Sequence, residues 1–218
     1  MLTRAEENYL KSIFHLETEL EDVVSTNAIA EFMETKPSSV TDMMRRLAEK
    51  ELVTYQRYKG VYLTDLGEKV AARVIRRHRL WEVFLVEKLN FQWDEVHEIA
   101  EQLEHVQSEE LICRLDTFLN NPEIDPHGDP IPNAEGKIKP LEKKLLSEVD
   151  INKTAICIGV KESATEFLQF LDRIGIQIAT KIKILSKETF DNSVFIEFNT
   201  KRMSLSQKAS ENLFIKIL

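Results

Sequence analysis

The chain has 218 residues, of which 43% are hydrophobic and 30% are charged, which is the composition of a globular protein long enough for one or two cores. Its two cysteines, Cys113 and Cys157, lie far apart and outside any CxxC pattern, so neither a disulfide framework nor a zinc ribbon is indicated. No stretch approaches the ~18 continuous apolar residues of a membrane span, and the N-terminus lacks the pattern of a signal peptide. We therefore expect a cytoplasmic protein without a membrane partner.

The net charge of −8 is unevenly distributed along the chain. Residues 36–80 contain eleven Lys and Arg against five Asp and Glu, a local charge of +6, which leaves −14 for the remainder. Nucleic-acid binding depends on a local face rather than on the average over the whole chain. A basic segment on an acidic body is typical of a protein that presents one face to DNA.

The first 64 residues combine helical spacing with one period-two segment. Apolar residues predict a helix over about 2–17, a second one capped by Thr26, and a third from Pro37, a residue tolerated in a first turn, to Leu47. Alternation over 53–63 around a Lys-Gly turn predicts a β-hairpin. Three helices followed by a hairpin indicate a winged helix-turn-helix DNA-binding domain over residues 1–64.

The rest of the chain is predicted to be helical and then mainly β. Thr64 caps a long helix that reaches Leu89, and two further helices follow, over about 94–105 and after Ser108. Pro and Gly punctuate residues 121–150, which marks a linker or an irregular arm. The expected fold class is mainly α, with a helical domain over 65–140 and a C-terminal β domain over 150–218. The β domain has strands near 155–160, 181–185 and 194–198 and a helix near 164–173.

The third helix is the candidate recognition helix, because the second helix of a helix-turn-helix lies in the major groove. Hydroxyl groups are good phosphate contacts, and arginine can read guanine bidentately. A winged helix used only for protein contacts is the alternative, but it leaves the basic segment unexplained. If Val40, Met43, Met44 and Leu47 face the core, the outward residues are Ser38, Ser39, Thr41, Asp42, Arg45 and Arg46, and the wing adds Arg57, Tyr58 and Lys59.

Histidines and glutamates recur at helical spacing behind this domain. His78 and Glu82 are four residues apart in the long helix, and at about 100° per residue His97, Glu101, Glu104 and His105 fall within one stripe of the next helix. Imidazole and carboxylate suit divalent transition metals, so two antiparallel helices could enclose one or two ions. Each pair alone could equally be a surface pair worth a few tenths of a kcal/mol, but their coincidence favours a metal site.

Along essentially its whole length the chain resembles the diphtheria-toxin-repressor-like metal-dependent regulators. The resemblance rests on EENYLKSIFHLE, PSSVTDMMRRLAEKELV and LTDLG, and then on RRHRLWEVFL, VHEIAEQLEHV and HGDPIP, in this order. It implies a homodimer that binds a palindromic double-stranded operator near metal-uptake genes and represses transcription when metal orders its first helix. It also implies that the helical domain binds metal and dimerises, and that the third domain is an SH3-like (FeoA-like) barrel.

The same resemblance implies two adjoining metal sites. His78, Glu82 and His97 match the ligands of one site, and Glu101, Glu104 and His105, joined by Asn8 of the first helix, match those of the other. Glu101 stands where iron-responsive members have a cysteine, as in the manganese-responsive branch. Hard donors suit higher coordination numbers, so we expect Mn(II) as the activator, Fe(II) second, and Zn(II) or Co(II) able to substitute.

Three further positions qualify the resemblance. Asn8 and Lys11 stand where the manganese branch has acidic residues. Glu162 and Glu166 are candidates for a ligand contributed by the third domain. Glu166 also fits a capping box that begins at Ser163.

Two functions of other classes compete with this interpretation. A His/Glu cluster could form the di-metal site of a hydrolase, but the sequence contains no recognisable nucleophile, phosphate cradle or GxSxG turn, so we expect no enzyme. A winged-helix regulator that responds to an organic ligand is the other alternative, and metal dependence of DNA binding discriminates against it.

Overall fold

The structure is a computed structural model that describes residues 2–20, 23–56 and 59–218. The described residues form two compact units. The first comprises Met1–Arg79, Glu101–Ile112 and Pro132–Ile138, and the second comprises Leu80–Ala100, Cys113–Ile131 and Lys139–Leu218. The division into three domains at the boundaries drawn from the sequence stays a prediction.

The first unit begins with the predicted winged helix-turn-helix. Its helices are α1 (Arg4–Leu20), α2 (Thr26–Phe32) and α3 (Pro37–Glu49), and strands β1 (Val53–Gln56) and β2 (Gly60–Leu63) form an antiparallel hairpin. Ser25, rather than the predicted Thr26, caps α2, because Ser25 has the extended backbone of an N-cap and its hydroxyl accepts from the Ala28 amide at 3.0 Å. A β-bridge between Val24 and Val61 joins the segment before α2 to the hairpin.

The core of the first unit lies between these helices and the hairpin. Its fully buried side chains come from all three helices, and they include Leu10, Ile13, Ile29, Met44 and Leu47. Burying a Leu, Ile or Met side chain stabilises a fold by about 1.5–3 kcal/mol. This packing holds α1 against the DNA-binding helices, so a group that moves α1 acts on the whole winged helix.

Three helices follow the hairpin: α4 (Asp65–Leu89), α5 (Val96–Leu103) and α6 (Glu109–Phe118). The predicted Thr64 cap is confirmed, since the Thr64 hydroxyl accepts from the Gly67 amide at 3.1 Å. The prediction that α5 continues to residue 105 is wrong. The chain turns after Leu103, where the Val106 amide donates to the Leu103 carbonyl, and Glu104 and His105 lie in this turn.

The second unit contains an antiparallel sheet with strand order β3-β8-β4-β5-β6-β7. The three predicted strands and the helix are confirmed, whereas the sequence missed β3, β7 and β8. Buried apolar residues of the sheet and of α7 form a separate core. The elements are β3 (Lys144–Leu145), a 3-10 turn (Leu146–Glu148), β4 (Thr154–Val160), α7 (Thr165–Ile174), β5 (Lys181–Lys187), β6 (Val194–Phe198), β7 (Lys201–Leu205), α8 (Gln207–Ser210) and β8 (Leu213–Ile217).

The capping box expected at the start of α7 is wrong. Ala164 occupies the N-cap position and makes no side-chain cap hydrogen bond. Because alanine has no acceptor on its side chain, the pattern from Ser163 to Glu166 is one residue out of register with the helix start. Both Glu162 and Glu166 are exposed, and their role as ligands stays a prediction.

Candidate metal centre and DNA-binding face

A buried carboxylate organises a group of polar side chains in the first unit, which we call the Glu104 cluster: Asn8, Lys11, His78, Glu101, Glu104 and His105. The Glu104 side chain is 1% exposed. Its Oε2 lies 2.6 Å from His78 Nδ1, and Lys11 Nζ donates to both of its oxygens at 2.9 and 3.0 Å. Burial by itself raises the pKa of Glu104, but the His78 hydrogen bond and the Lys11 charge outweigh burial and lower this pKa below 4.5.

His105 is oriented by a second buried carboxylate. Its Nδ1 lies 2.6 Å from Glu7 Oε2, and the other oxygen of Glu7 accepts from Arg77 at 2.8 Å. With a proton on Nδ1, the Nε2 lone pair points toward Glu104, whose Oε1 is 3.7 Å away. Carboxylates orient metal-binding imidazoles in this way, because the bond to one nitrogen sets the tautomer of the other.

Asn8 supplies the observation that tests whether the Glu104 cluster fits a metal ion. Among the described residues its Oδ1 atom is buried and has no hydrogen-bond partner. A buried polar group left unpaired costs about 1–3 kcal/mol, so such an atom calls for a ligand. An amide oxygen beside carboxylates and an imidazole nitrogen is a donor set that suits a hard divalent cation. The cluster therefore fits a metal ion.

The second unit holds another group of metal-ligating side chains, which we call the Glu82 cluster: Glu82, His97, Asp125 and His127. Glu82 Oε1 lies 3.4 Å from His97 Nδ1 and 3.6 Å from His127 Nδ1. Glu82, Asp125 and His127 are buried, and each offers a ligand atom within 4.8 Å of the others. The His97 side chain is half exposed.

The loop that carries Asp125 and His127 is held rigidly. The Asp125 carboxylate accepts from the His127 amide at 2.8 Å, and His127 Nε2 lies 2.8 Å from the Trp93 carbonyl. The His127 carbonyl accepts from the Val160 amide of β4 at 3.0 Å. These contacts leave Nδ1 as the His127 nitrogen that faces Glu82.

Gly128 allows the loop that carries Asp125 and His127 to pack closely against β4. Its φ is +90°, and a Cβ at this position would lie 1.9 Å from the Ile158 carbonyl oxygen of β4. Any other residue would push the loop off the strand, and His127 with it.

His127 is protonated at neutral pH in the metal-free protein. Burial by itself lowers the pKa of His127, but the hydrogen bond to Glu82 and the charges of Glu82 and Asp125 raise it to about 9. An ion that binds through Nδ1 must therefore displace a proton.

The DNA-binding face has the exposure that the sequence predicts. On α3, Val40, Met44 and Leu47 are buried, whereas Thr41 is half-buried and the remaining outward residues, Ser38, Ser39, Asp42, Arg45 and Arg46, are exposed. Arg45 lies 3.5 Å from Asp42 on the adjacent turn. Contact of these residues with DNA stays a prediction, and Arg57 and Tyr58 lie outside the described residues.

A groove of about 500 Å³ runs between α2, α3 and the hairpin. It presents two cations, Arg45 and Lys59, beside serine and threonine hydroxyl groups. Side chains of these types bind the phosphate oxygens of DNA. The lining residues are Val23, Ser25, Thr26, Asn27, Pro37, Ser38, Thr41, Arg45, Tyr55, Lys59 and Gly60.

Comparison with known proteins identifies the family. Residues 1–61 match the N-terminal DNA-binding domain of iron-dependent repressors, residues 64–133 match their metal-binding and dimerisation domain, and residues 144–217 match the FeoA domain. The chain is 32% identical over 157 residues to the HTH-type transcriptional regulator MntR of Oceanobacillus iheyensis, across 71% of this chain and 99% of that protein. The chain belongs to the iron-dependent repressor family.

The chain is also similar to two further proteins of this family. It is 39% identical over 127 residues to the iron-dependent repressor IdeR of Mycobacterium leprae, across 58% of this chain and 54% of that protein. A manganese-dependent transcriptional repressor solved in complex with manganese has a TM-score of 0.86 and 33% identity, across 98% of this chain and 100% of that one. The chain spans only about a third to a half of the length of several curated relatives.

Membership in this repressor family bears on the competing functions. The family consists of transcriptional repressors, which agrees with the prediction of a chain that is not an enzyme and argues against a metallohydrolase. No helix among the described residues has the length and hydrophobicity to span a membrane.

The candidate metal ligands are placed only partly as helical spacing predicts. His97, Glu101, Glu104 and His105 do not share one helical stripe, because α5 ends at Leu103. His78 lies one turn before Glu82 on α4. Its Nδ1 atom faces Glu104 Oε2 at 2.6 Å, so this nitrogen belongs to the Glu104 cluster.

Sequence reasoning missed Asp125 and His127 as candidate ligands. The signal was present in the HGDPIP motif, where His127 follows an acidic residue at i−2. The motif lies in a Pro-rich loop, however, and no periodicity connects it to Glu82.

Proposed function

We propose that this chain is a manganese-dependent transcriptional repressor that acts in the cytoplasm on metal-uptake genes. It binds double-stranded operator DNA through α3 and the hairpin when divalent ions are bound to the Glu104 cluster and the Glu82 cluster. The observation that carries the proposal is the buried, unpaired Oδ1 of Asn8. Asn8 lies on α1, which packs into the core of the winged helix, so an ion on Asn8 acts on the DNA-binding domain.

The donor atoms support manganese as the activator. The Glu104 cluster offers carboxylate and amide oxygens with the imidazoles of His78 and His105, and the Glu82 cluster offers two carboxylates with the imidazoles of His97 and His127. Raw affinity at such sites rises from Mn²⁺ through Fe²⁺ toward Cu²⁺, so selectivity comes from geometry rather than affinity. Hard oxygen donors suit the higher coordination numbers of Mn²⁺. Fe²⁺ is second, and Zn²⁺ or Co²⁺ can substitute.

The chain's own residues explain how binding reaches DNA. A divalent ion supplies positive charge that holds the oxygens of the Glu104 cluster together. Asn8 and the Glu7 that orients His105 both come from α1, so the same contacts fix the position of this helix. A typical coupling of ~1–3 kcal/mol per protomer becomes several kcal/mol when a dimer engages two half-sites.

Two exposed apolar residues in the second unit, Phe118 and Leu89, support a homodimer. Phe118 at the end of α6 is 59% exposed, packs against Phe84 with ring centroids 6.4 Å apart, and lies under Lys88 Nζ. Leu89 is also exposed. Exposed apolar residues of this size are typical of an interface, and a two-fold dimer matches a palindromic operator.

The proposal is tested by DNA binding titrated with metals. A duplex selected from a random pool is bound by the protein with Mn²⁺, Fe²⁺, Co²⁺, Zn²⁺ or chelator, and the affinity is measured by fluorescence anisotropy. We expect tight binding with Mn²⁺ and weak binding with chelator. His105→Gln should abolish this response, whereas His15→Gln, a matched change on α1 outside the cluster, should retain it.

Two outcomes contradict the proposal. Equal affinity for the duplex with Mn²⁺ and with chelator excludes metal-dependent repression. Activation by Zn²⁺ at lower free concentration and to a greater extent than by Mn²⁺ excludes manganese as the activator.

A further inference from the structure

Trp93, in the loop between α4 and α5, contacts two parts of the second unit at once. Its indole Nε1 donates to Asp172 Oδ2 of α7 at 2.8 Å, and its ring packs against the core that α7 forms with the antiparallel sheet. Its backbone carbonyl accepts from His127 Nε2 at 2.8 Å. One residue therefore joins α7 to a candidate ligand of the Glu82 cluster.

The contact between Trp93 and His127 extends beyond this hydrogen bond. The indole and imidazole rings lie nearly parallel, at 15°, with their centroids 6.3 Å apart. Because Nε2 is bound to the Trp93 carbonyl, the nitrogen that faces Glu82 is Nδ1, which lies 3.6 Å from Glu82 Oε1. The bond to one imidazole nitrogen sets the orientation of the other. The position of Trp93 therefore fixes the direction in which His127 presents its candidate metal-binding nitrogen.

The carboxylate that holds the Trp93 indole is itself held in place. Its other oxygen, Asp172 Oδ1, accepts from Gln177 Nε2 at 3.3 Å. The neighbouring α7 residues Leu168 and Leu171 are fully buried in the core shared with the sheet. A hydrogen bond to an ionised acceptor is roughly twice as strong as one between neutral groups. Trp93 is thus anchored to a packed helix.

A neighbouring hydrogen bond provides a comparison. Gln169 Nε2, also on α7, donates to Asp94 Oδ2 at 2.9 Å, so a second contact joins the same helix to the same loop. Gln169 is exposed, and its bond reaches the loop at Asp94 rather than at the residue that holds His127. The two bonds are equivalent if docking of the loop alone matters, and they differ if the path runs through Trp93.

We propose that Trp93 is a positioning residue through which α7 and the sheet set the Mn²⁺ affinity of the Glu82 cluster. The inference rests on the proposed function, since it takes this cluster as a metal site. The Asp172 carboxylate holds the indole, the Trp93 carbonyl holds the His127 imidazole, and Nδ1 of that imidazole is presented beside Glu82. The C-terminal sheet thereby acts on metal binding without contributing a ligand.

The experiment measures Mn²⁺ binding in the full chain carrying His105→Gln. This background disables the Glu104 cluster, so bound Mn²⁺ reports the Glu82 cluster. Equilibrium dialysis at fixed pH gives the affinity of the background and of Trp93→Phe, Asp172→Ala, Asp172→Asn and Gln169→Ala within it. Urea denaturation with chelator present checks that each variant folds.

We expect Trp93→Phe and Asp172→Ala each to weaken Mn²⁺ binding about tenfold, because changes to the outer partners of metal ligands cost about 10–100-fold in affinity. Trp93→Phe keeps a ring beside His127 but removes the donor. The double variant should lose no more than either single one, since both changes remove the same hydrogen bond. Trp93→Phe tests the inference if Asp172→Ala does not fold.

Two variants should retain the affinity of the background. Asp172→Asn keeps an oxygen that accepts from the indole, so it should rescue the loss seen in Asp172→Ala. Gln169→Ala removes the neighbouring bond between α7 and the loop but leaves Trp93 in place.

The failures are distinguishable. A His105→Gln protein that binds no Mn²⁺ contradicts both the proposed function of the Glu82 cluster and the role of Trp93. A background that binds Mn²⁺ and keeps its affinity in Trp93→Phe and Asp172→Ala overturns the role of Trp93 alone. The same holds if Gln169→Ala or Asp172→Asn loses as much affinity as Asp172→Ala.

Discussion

Replacing Glu104 by alanine in the metal-free protein measures what the buried carboxylate contributes to stability. The change removes the acceptor of two side chains, His78 and Lys11, both of which are largely buried. Their polar groups lose their partner at Glu104 while they remain inside the protein. The loss is independent of any metal ion, because the experiment is done with chelator present.

The size of the effect follows from burial. Removing one partner of a buried ion pair costs about 3–5 kcal/mol, a large part of the 5–15 kcal/mol that stabilises a typical fold. Lys11 can still turn to Glu101, 3.5 Å away, so we expect about 3 kcal/mol. Glu101→Ala is the matched control, because Glu101 is 51% exposed and pairs of this kind contribute only about 0–1 kcal/mol.

The stabilisation should also depend on pH in one direction. The pKa of Glu104 is lowered in the folded protein, so its contribution is present above the pKa of the unfolded state and is lost as pH falls through the folded pKa. The difference in stability between the wild type and Glu104→Ala should therefore shrink as the solution becomes more acidic than about pH 4.5.

Urea denaturation followed by circular dichroism measures both effects, with the slope of the transition as a check on two-state behaviour. A Glu104→Ala protein that loses less than about 1 kcal/mol would refute the role of the buried carboxylate. A Glu101→Ala protein that loses as much as Glu104→Ala would refute the argument from burial.

Three other outcomes are expected. The pKa of His127 is about 9, so Mn²⁺ must displace a proton to bind the Glu82 cluster, and the Mn²⁺ affinity should rise up to tenfold per pH unit from about pH 6.5 to 9. Calorimetry in two buffers detects the released proton. The variant His127→Gln should lose this pH dependence. If Arg45 or Arg46 contacts phosphate, its replacement by alanine lowers the salt slope of DNA binding by about one, and unchanged slopes and affinities for both contradict our placement of α3. Gly128→Ala should weaken Mn²⁺ binding by the Glu82 cluster, because the added Cβ would lie 1.9 Å from the backbone of β4. Gly136→Ala is the control and should bind Mn²⁺ as the wild type does. Gly136 has a similar φ, but its Cβ would have a nearest contact of 3.3 Å.

Local interactions explain why much of the fold could be predicted. The helical spacing of apolar residues places the helices, and their alternation places the hairpin. Pro37 and Thr64 mark helix starts through contacts within one turn. The misplaced cap at Thr26 shows the limit of this reasoning. Two adjacent residues, Ser25 and Thr26, can each cap a helix, and only the backbone conformation selects one of them.

The strands that were missed are short or lie next to polar residues. β3 has two residues and owes its strand character to pairing with β8. β7 alternates only weakly in burial, and β6 pairs with it along its whole length. Pairing with a neighbour, rather than propensity, makes such segments strands.

The residue types of the candidate metal centre were readable from the sequence, because histidines and glutamates at intervals of three and four are a local pattern. The family, the donor types and the exposed face of α3 follow from such patterns. The composition of each cluster does not. Glu104 lies in the turn after α5, and its side chain is buried there. Asp125 and His127 lie beside Glu82 because Gly128 lets their loop pack against β4.

Lys11 illustrates the same division most clearly. The sequence by itself determined that a lysine stands in the first helix among candidate ligands. Only the tertiary structure decided that its ammonium group lies within 3.5 Å of carboxylates 90 and 93 residues away. The reason is physical: periodicity reports which face of a helix is apolar, whereas the partner of a buried charge is set by packing between segments far apart in the chain.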